Sequence, residues 1–499
     1  MSEEEELTPL LERVLSGGVG RCLRERPVAR QTSRQSVNLL TAWYGRVPQL
    51  SDPRVREDVL RRLTRDIAQI ESAVTRQLAR ILHHPEFQKL ESAWRSLDQL
   101  VSNVDHEQEL AKEAGVSIKL RIRLLNVTQD ELADDLENAI AFDESQLFRK
   151  VYEQEFGQPG GEPYGVLIGD YEFTNHPRDV QLLQRIAGVS ASAFAPFIAS
   201  ASPELLGLES FGQLSQPINF KELQEGKKYL LWRAFRERDD DARFVGLTVP
   251  RILLRGPYRD DGSQSFGFRF DEARLGPGQS HLWGSAAFAL GFVIARSFAH
   301  TGWFAKIRGL SPGGGSGLFP GSVTAEYTAN PKATLPKPVT DVVITEATDR
   351  ILSDLGFIPL CQSKDFPTGV FRNTPSLQEP AHFDDENANA SARLSGMLQY
   401  TLCVSRFAHY LKTMIRDRTG GWANASELER ELRVWINRYV TEASDDDSVK
   451  ARKPLREAKV EIQETLPGQF RMTMWLRPHF QLEDLQVALR LNSRLESID

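Results

Sequence analysis

The sequence predicts an α+β protein with a mixed α/β core: helices surround a mixed sheet, a helical N-terminal segment precedes it, and antiparallel strands close the chain. Three observations predict it. Between 51 and 82, apolar residues recur every three or four positions, the period of one helix face. From 117 to 370, short apolar runs bounded by Gly, Pro or Asp alternate with helical patterns, as buried strands and their connecting helices do. From 458 onward, apolar and polar residues alternate, the period of a strand with one buried face. These shifts divide the 499 residues into a tail with one short helix (1–50), an α/β core (51–370) and a C-terminal part with a long helix and terminal strands (371–499).

In the tail, Thr8 and Pro9 suit the cap and first turn of a helix. Leu7, Leu10, Leu11, Val14 and Leu15 share one face until Gly17-Gly18 stop it. About two turns are marginal alone, so this helix needs a surface to dock on, either its own domain or a partner. Next, Ser51 or Asp52 caps and Pro53 opens a long helix. Its Val59, Leu63, Ile67, Ile70, Val74, Leu78 and Ile81 form a stripe as narrow as a coiled-coil seam, facing either the rest of the chain or a partner helix.

Ser117–Val127 (SIKLRIRLLNV) reads as a half-buried strand, Tyr164–Ile168 and Phe244–Val249 as buried strands, and 178–188 and 281–300 as helices. Pro312–Gly317 and 331–338 read as loops. After a turn-rich stretch at 362–389, Leu394, Met397, Leu398, Val404, Phe407, Ala408, Leu411, Met414 and Ile415 mark one long buried helix, and Leu428–Val440 another. Ser444–Lys453 reads as a solvated loop. Strands are expected at 458–465, 470–477 and 485–491, with Pro467-Gly468 as a turn. Their apolar faces are Val460 and Ile462; Phe470, Met472, Met474 and Leu476; and Leu485, Val487, Leu489 and Leu491. Three strands at a chain end leave sheet edges open unless something covers them.

Composition narrows the function. Apolar residues make up 40% and charged residues 26%, the balance of an ordinary globular protein. A net charge of −7 supplies no global attraction for nucleic acid or anionic lipid, so neither is an expected partner. Cys22, Cys361 and Cys403 are too scattered for a disulfide framework or a zinc site. The acidic opening MSEEEELTPLLERVL is unlike a signal peptide, and no run approaches the roughly 18 apolar residues of a membrane helix. A reducing cytoplasm is the expected compartment.

Motifs for chemistry fall short. Gly313–Gly317 (GGGSG) lacks the Lys-Ser/Thr of a phosphate loop. Adjacent His83-His84 point to different faces and suit a helix end better than a metal. Asp384-Asp385-Glu386 lacks calcium-loop spacing and suits the start of a helix. Asp170 after Gly169 ends an apolar strand, where an α/β enzyme would place a carboxylate, but no nucleophile or histidine motif accompanies it. No catalytic, cofactor-binding or metal-binding residue is assigned.

Several segments resemble the large sheath subunit of type VI secretion systems, the TssC/VipB family. They are His83–Phe87 running into Leu90–Arg95; Gly161–Gly165 with Gly169–Tyr171; and Ala195–Ile198 before Ala201–Pro203. Further on come Gly246–Thr248 with Pro250-Arg251, Trp303 with Ile307–Gly309, Arg406–Lys412, and Leu476–His479. Spread in order over 80–495, the set is specific where each member is weak.

The resemblance implies a structural subunit without catalytic residues. It would pair with a small sheath subunit (TssB/VipA-like), stack with copies of itself into a helical tube around an Hcp-type inner tube on a baseplate, and contract. A ClpV-type AAA+ ATPase would then disassemble the contracted sheath. It further implies that the terminal strands, with Val460, Ile462, Phe470, Met472, Met474, Leu485, Val487, Leu489 and Leu491, take part in strand exchange between subunits. It also implies that Leu7, Leu10, Leu11, Val14 and Leu15 meet the ATPase, although the Arg-rich tail departs from the family there. The alternatives are a sheath subunit of a phage-tail-like particle, or an α/β enzyme acting at Gly169-Asp170.

Overall fold

The computed structural model describes residues 39, 41–45, 51–158, 160–216, 218, 220, 224–258, 270–272, 281–309, 317–321, 339–362, 368–418, 425–441, 447–466, 469–479 and 489–495. The chain divides into two units, Met1–Lys89 with Gly256–His281, and Leu90–Arg255 with Leu282–Asp499.

In the first unit, Pro53 starts helix α1 (Pro53–Leu82), and the Asp52 carboxylate caps it by accepting from the Arg54 N–H at 2.9 Å. Residues 41–45 are tied to its polar face, where Trp43 Nε1 donates to Asp66 at 2.8 Å and Tyr44 Oη donates to Asp58 at 2.9 Å. The helix stops at His83, whose Nε2 lies 2.7 Å from Oε1 of the buried Glu272. Helix α2 (Pro85–Glu113) begins in this unit and continues into the second.

The second unit is built on a six-stranded sheet with helices packed on its two faces. Helix α3 (Gln129–Asn138) is followed by β1 (Leu167–Phe173), α4 (Pro177–Ala193), β2 (Phe197–Ala201), α5 (Leu230–Arg238), β3 (Val245–Val249) and β4 (Ile252–Arg255). Then come β5 (Leu282–Gly284), α6 (Ala286–Thr301), β6 (Leu318–Phe319), α7 (Glu346–Asp354), β7 (Phe357–Gln362) and β8 (Gly369–Phe371). The main sheet has the order β1-β2-β3-β7-β8-β6, parallel through β7 and antiparallel beyond.

Phe197, Ala199, Val245, Leu247 and Phe357 face a layer of α3, α4 and α5, while Ile198, Ile358 and Leu360 face α6 and α2. Both faces are covered, so β2 and β3 are buried along their whole length, their two polar side chains, Ser200 and Thr248, lying 3.3 Å apart. Close approach explains Gly169: a Cβ there would lie 2.6 Å from the Phe197 ring. At Gly291 a Cβ would lie 2.3 Å from Ile168, so glycine is what lets α6 sit against β1.

The chain ends with α8 (Glu386–Ser395), α9 (Leu398–Arg418), α10 (Ala425–Asn437), α11 (Asp447–Arg452), β9 (Leu455–Leu466), β10 (Gln469–Pro478) and β11 (Leu489–Leu495). The last three make an antiparallel sheet in the order β11-β10-β9. Helix α9 is a shared wall. Its Leu398 and Leu402 pack under the main sheet, while Phe407, Leu411 and Ile415 join α10 and the terminal sheet in a further core.

The structure corrects several expectations. Ser117–Val127 belongs to no ladder, because no main-chain group among the described residues pairs with its main chain. The segment 281–300 is a short strand, then a helix that Ser285 caps by accepting from the Ala287 N–H at 3.1 Å. The single long helix expected around 394–415 is two, α8 and α9, broken where the Gly396 carbonyl accepts from the Ser376 N–H at 2.8 Å. Within 444–453, residues Asp447–Arg452 form α11, with Asp447 at its start and Lys450 and Arg452 at its end, each sign suited to the helix dipole. Of the third terminal strand, expected at 485–491, residues 489–491 lie in β11, and 485–488 lie outside the described residues.

Candidate assembly interface

The first surface is the seam of α1. Val59 is buried and Leu78 half-buried, but Leu63, Ile67, Ile70, Val74 and Ile81 are 38–51% exposed. Pairs such as Arg61–Glu57 and Arg62–Asp58 occupy the polar side. A helix held by its polar face, with its apolar stripe in water, has the pattern of one strand of a coiled coil.

The second surface is the terminal sheet. Val460, Ile462, Met472, Met474 and Leu476 turn their side chains into the core beneath, against α9 and α10. Tyr400 Oη reaches the Leu476 carbonyl at 3.0 Å, and Trp303 stacks on Phe407 with centroids 4.0 Å apart. The two edges differ. On β9, Leu455 is bonded to Tyr439 and Thr441, and the Ile462 N–H donates to Glu429 of α10 at 3.2 Å. On β11, residues 489–495 pair inward with 470–476, and no strand lies beyond it among the described residues. Phe470 on β10 stands opposite Leu495, and Leu489 and Leu491 stand opposite Leu476 and Met474. Leu485, Val487 and the tail residues Leu7, Leu10, Leu11, Val14 and Leu15 lie outside the described residues.

His83 and the acidic run at 384–386 have structural explanations. His83 ends α1 and pairs with Glu272, an ion-pair geometry that sequence spacing gave no means to find across 189 positions. Asp384-Asp385-Glu386 leads into α8, at the positive end of its dipole. Among the described residues no His, Cys, Asp or Glu group is arranged to hold a metal ion. Burial pushes the Cys361 and Cys403 thiols up to about 12, so both stay protonated and inert. No helix among the described residues is long and apolar enough to cross a membrane. Gly313–Ser316 lies outside the described residues.

Two sequence profiles account for most of the chain: the EvpB/VC_A0108 tail sheath N-terminal domain over residues 64–378, and the EvpB/VC_A0108 tail sheath gpW/gp25-like domain over 387–495. A type VI secretion system sheath protein, TssC1 of Pseudomonas aeruginosa, is 38% identical over 458 residues, covering 89% of this chain and 88% of that one. The chain belongs to the type VI secretion tail-sheath family. A sheath tail protein of Desulfitobacterium hafniense covers 63% of this chain and 60% of its own at 8% identity and a TM-score of 0.28, a likeness too slight to carry an argument.

In this sheath protein α9 also locks the two profile domains together. His409 is buried, and its Nε2–H donates to the Ala193 carbonyl at 2.9 Å beside Phe194, which adopts a left-handed φ of 52°. Lys412 donates to Tyr152 Oη at 2.7 Å and lies 4.6, 4.9 and 5.7 Å from the ring centres of Tyr152, Phe156 and Phe194. Arg416 donates to the carbonyls of Glu155 and Phe156 at 3.3 and 3.1 Å.

Burial, with Arg406 and Lys412 nearby, holds the His409 imidazole neutral down to about 3. The unfolded chain takes up that proton near 6.5, so the stability His409 contributes is whole above about 6.5 and falls as pH drops toward 3. The expected loss from this residue is ~1.4 kcal/mol per pH unit below 6. Urea unfolding of wild type and His409→Gln between pH 7 and 5 checks it, the variant having the shallower pH dependence.

Proposed function

We propose that this chain is the large structural subunit of a type VI contractile sheath. It pairs with a small sheath subunit (TssB/VipA-like) and polymerises in the cytoplasm, from a baseplate, around an Hcp-type inner tube. It contracts to propel the tube and its effectors outward, using no cofactor and performing no catalysis. The observation that carries this reading is the α1 seam: five apolar side chains at coiled-coil spacing stay in water on the single chain, as they would on half of an interface. The open edge of β11 supports polymerisation, because main-chain hydrogen bonds to a neighbour's strand persist while subunits pivot. Contraction is then a switch between two packings of nearly rigid subunits, in which about a few kcal/mol from each suffices when many act in series.

Co-expression with the small subunit tests it. The large chain should be soluble with its partner and insoluble without, and the pair should form tubes visible by electron microscopy. A single chain that is soluble and indifferent to the partner would overturn the reading.

We also assign the N-terminal residues Leu7, Leu10, Leu11, Val14 and Leu15 to a ClpV-type AAA+ ATPase, since a short apolar face on a tether suits recognition in a groove. Leu11→Asp with Leu15→Asp is expected to leave assembly intact and to slow disassembly of contracted sheaths by the ATPase. Unchanged turnover in a light-scattering assay would remove the assignment.

A further inference from the structure

Residues 117–127 have the side chains of a strand and lack only its neighbour. Ile118 and Leu120 pack beside Val166 and Ile168 in the layer of α6. Arg121 turns the other way to Glu162, at 2.6 Å, and Arg123 reaches Glu155 and Tyr164. That alternation is the one an extended chain imposes. Farther along, Ile122, Leu124 and Leu125 are exposed, Leu124 to 69%. Yet no main-chain N–H or C=O of 117–126 meets another main-chain group among the described residues. At the end of the run, the Val127 carbonyl accepts from Tyr171 Oη of β1, at 2.9 Å. β1 itself is the terminal strand of the main sheet.

An alternating apolar segment with a bare main chain is a template for strand addition. We propose that 117–127 receives a β-strand from the small sheath subunit, an inference that rests on the pairing proposed above. Charge selects the occupant. The segment carries Lys119, Arg121 and Arg123 and no acid. Two copies of it meeting antiparallel about Arg121 would set Lys119 opposite Arg123, like charges directly across the ladder. Among the described residues every named strand already sits in a ladder of its own, so none is spare for donation. The strand that fits is one whose apolar residues cover Ile122 and Leu124 and that sets no cation opposite Lys119, Arg121 and Arg123, the last two of which already hold Glu162 and Glu155.

Hydrogen exchange on the co-purified pair, before polymerisation, reads this directly. Alternate amides within 118–126, those on the edge that faces the added strand, are expected to exchange on the order of a hundredfold more slowly than in a free peptide of the same sequence. Free-peptide rates in a pair that has formed overturn the strand addition and leave pairing standing. Protection that arises only on polymerisation moves the donor to a neighbouring protomer and overturns the assignment to the small subunit. Two chains that do not co-purify overturn the pairing and this inference together. Neighbouring amides of a strand point to opposite edges, so one of Leu124→Pro and Leu125→Pro should weaken the pair about tenfold and the other much less. If neither weakens it, the inference fails.

Discussion

Removing residues 485–499 is expected to leave the pair with the small subunit intact and to abolish the sheath. The deletion takes away all of β11, whose seven residues pair with 470–476 of β10. What remains keeps its core: Met472, Met474 and Leu476 of β10 and Val460 and Ile462 of β9 are buried against α9 and α10, and β9 still pairs along β10. The loss is therefore the outer strand with its open edge, while the seam of α1 lies elsewhere in the sequence and is untouched. Gel filtration should show the pair eluting as before, and electron microscopy should show no tubes. Tubes formed by the truncated pair would count decisively against strand exchange at this edge.

Charging the seam is expected to do the reverse, breaking the pair without unfolding the chain. Ile67 and Val74 are 47% and 43% exposed on the single chain, so Asp at both positions removes little native packing. In a dry seam each loses burial worth about 1.5–3 kcal/mol and sets an unpaired carboxylate against apolar side chains. Together they should weaken pairing by at least ~100-fold, with far-UV circular dichroism unchanged. A lost pair accompanied by lost helicity would mean that the seam supports the fold of α1 itself. A pair of undiminished affinity would remove the seam from the interface.

Legibility in the sequence followed the range of the interactions involved. Helix α1 was readable in place, cap and face, because Asp52, Pro53 and a three-four repeat act within a few residues of one another. β2 was not among the expected strands, whereas β3 and β10 were readable for the same reason, their patterns being local. The break at Gly396 was not, since it depends on Ser376, twenty positions away, taking the Gly396 carbonyl. Nor was the His83–Glu272 pair, or the clasp of His409 on Ala193. Ser117–Val127 shows the difference most plainly: its alternation is that of a strand, yet a strand exists only where a neighbour supplies the ladder.

The residue pattern alone determined the type and place of the long, strongly periodic elements and which of their faces are apolar, and the resemblance in its ordered motifs pointed to a sheath subunit. Those properties depend on neighbours in the chain and on side-chain chemistry, both of which a sequence states outright. Only the tertiary structure decided which apolar faces are consumed internally and which are left over. The stripe of α1 stays in water, the apolar face of β9 and β10 does not, and β11 has no strand on its outer edge among the described residues. Burial is a property of the packed whole, and for a protein that works through its contacts the surfaces left unburied are where that work is done.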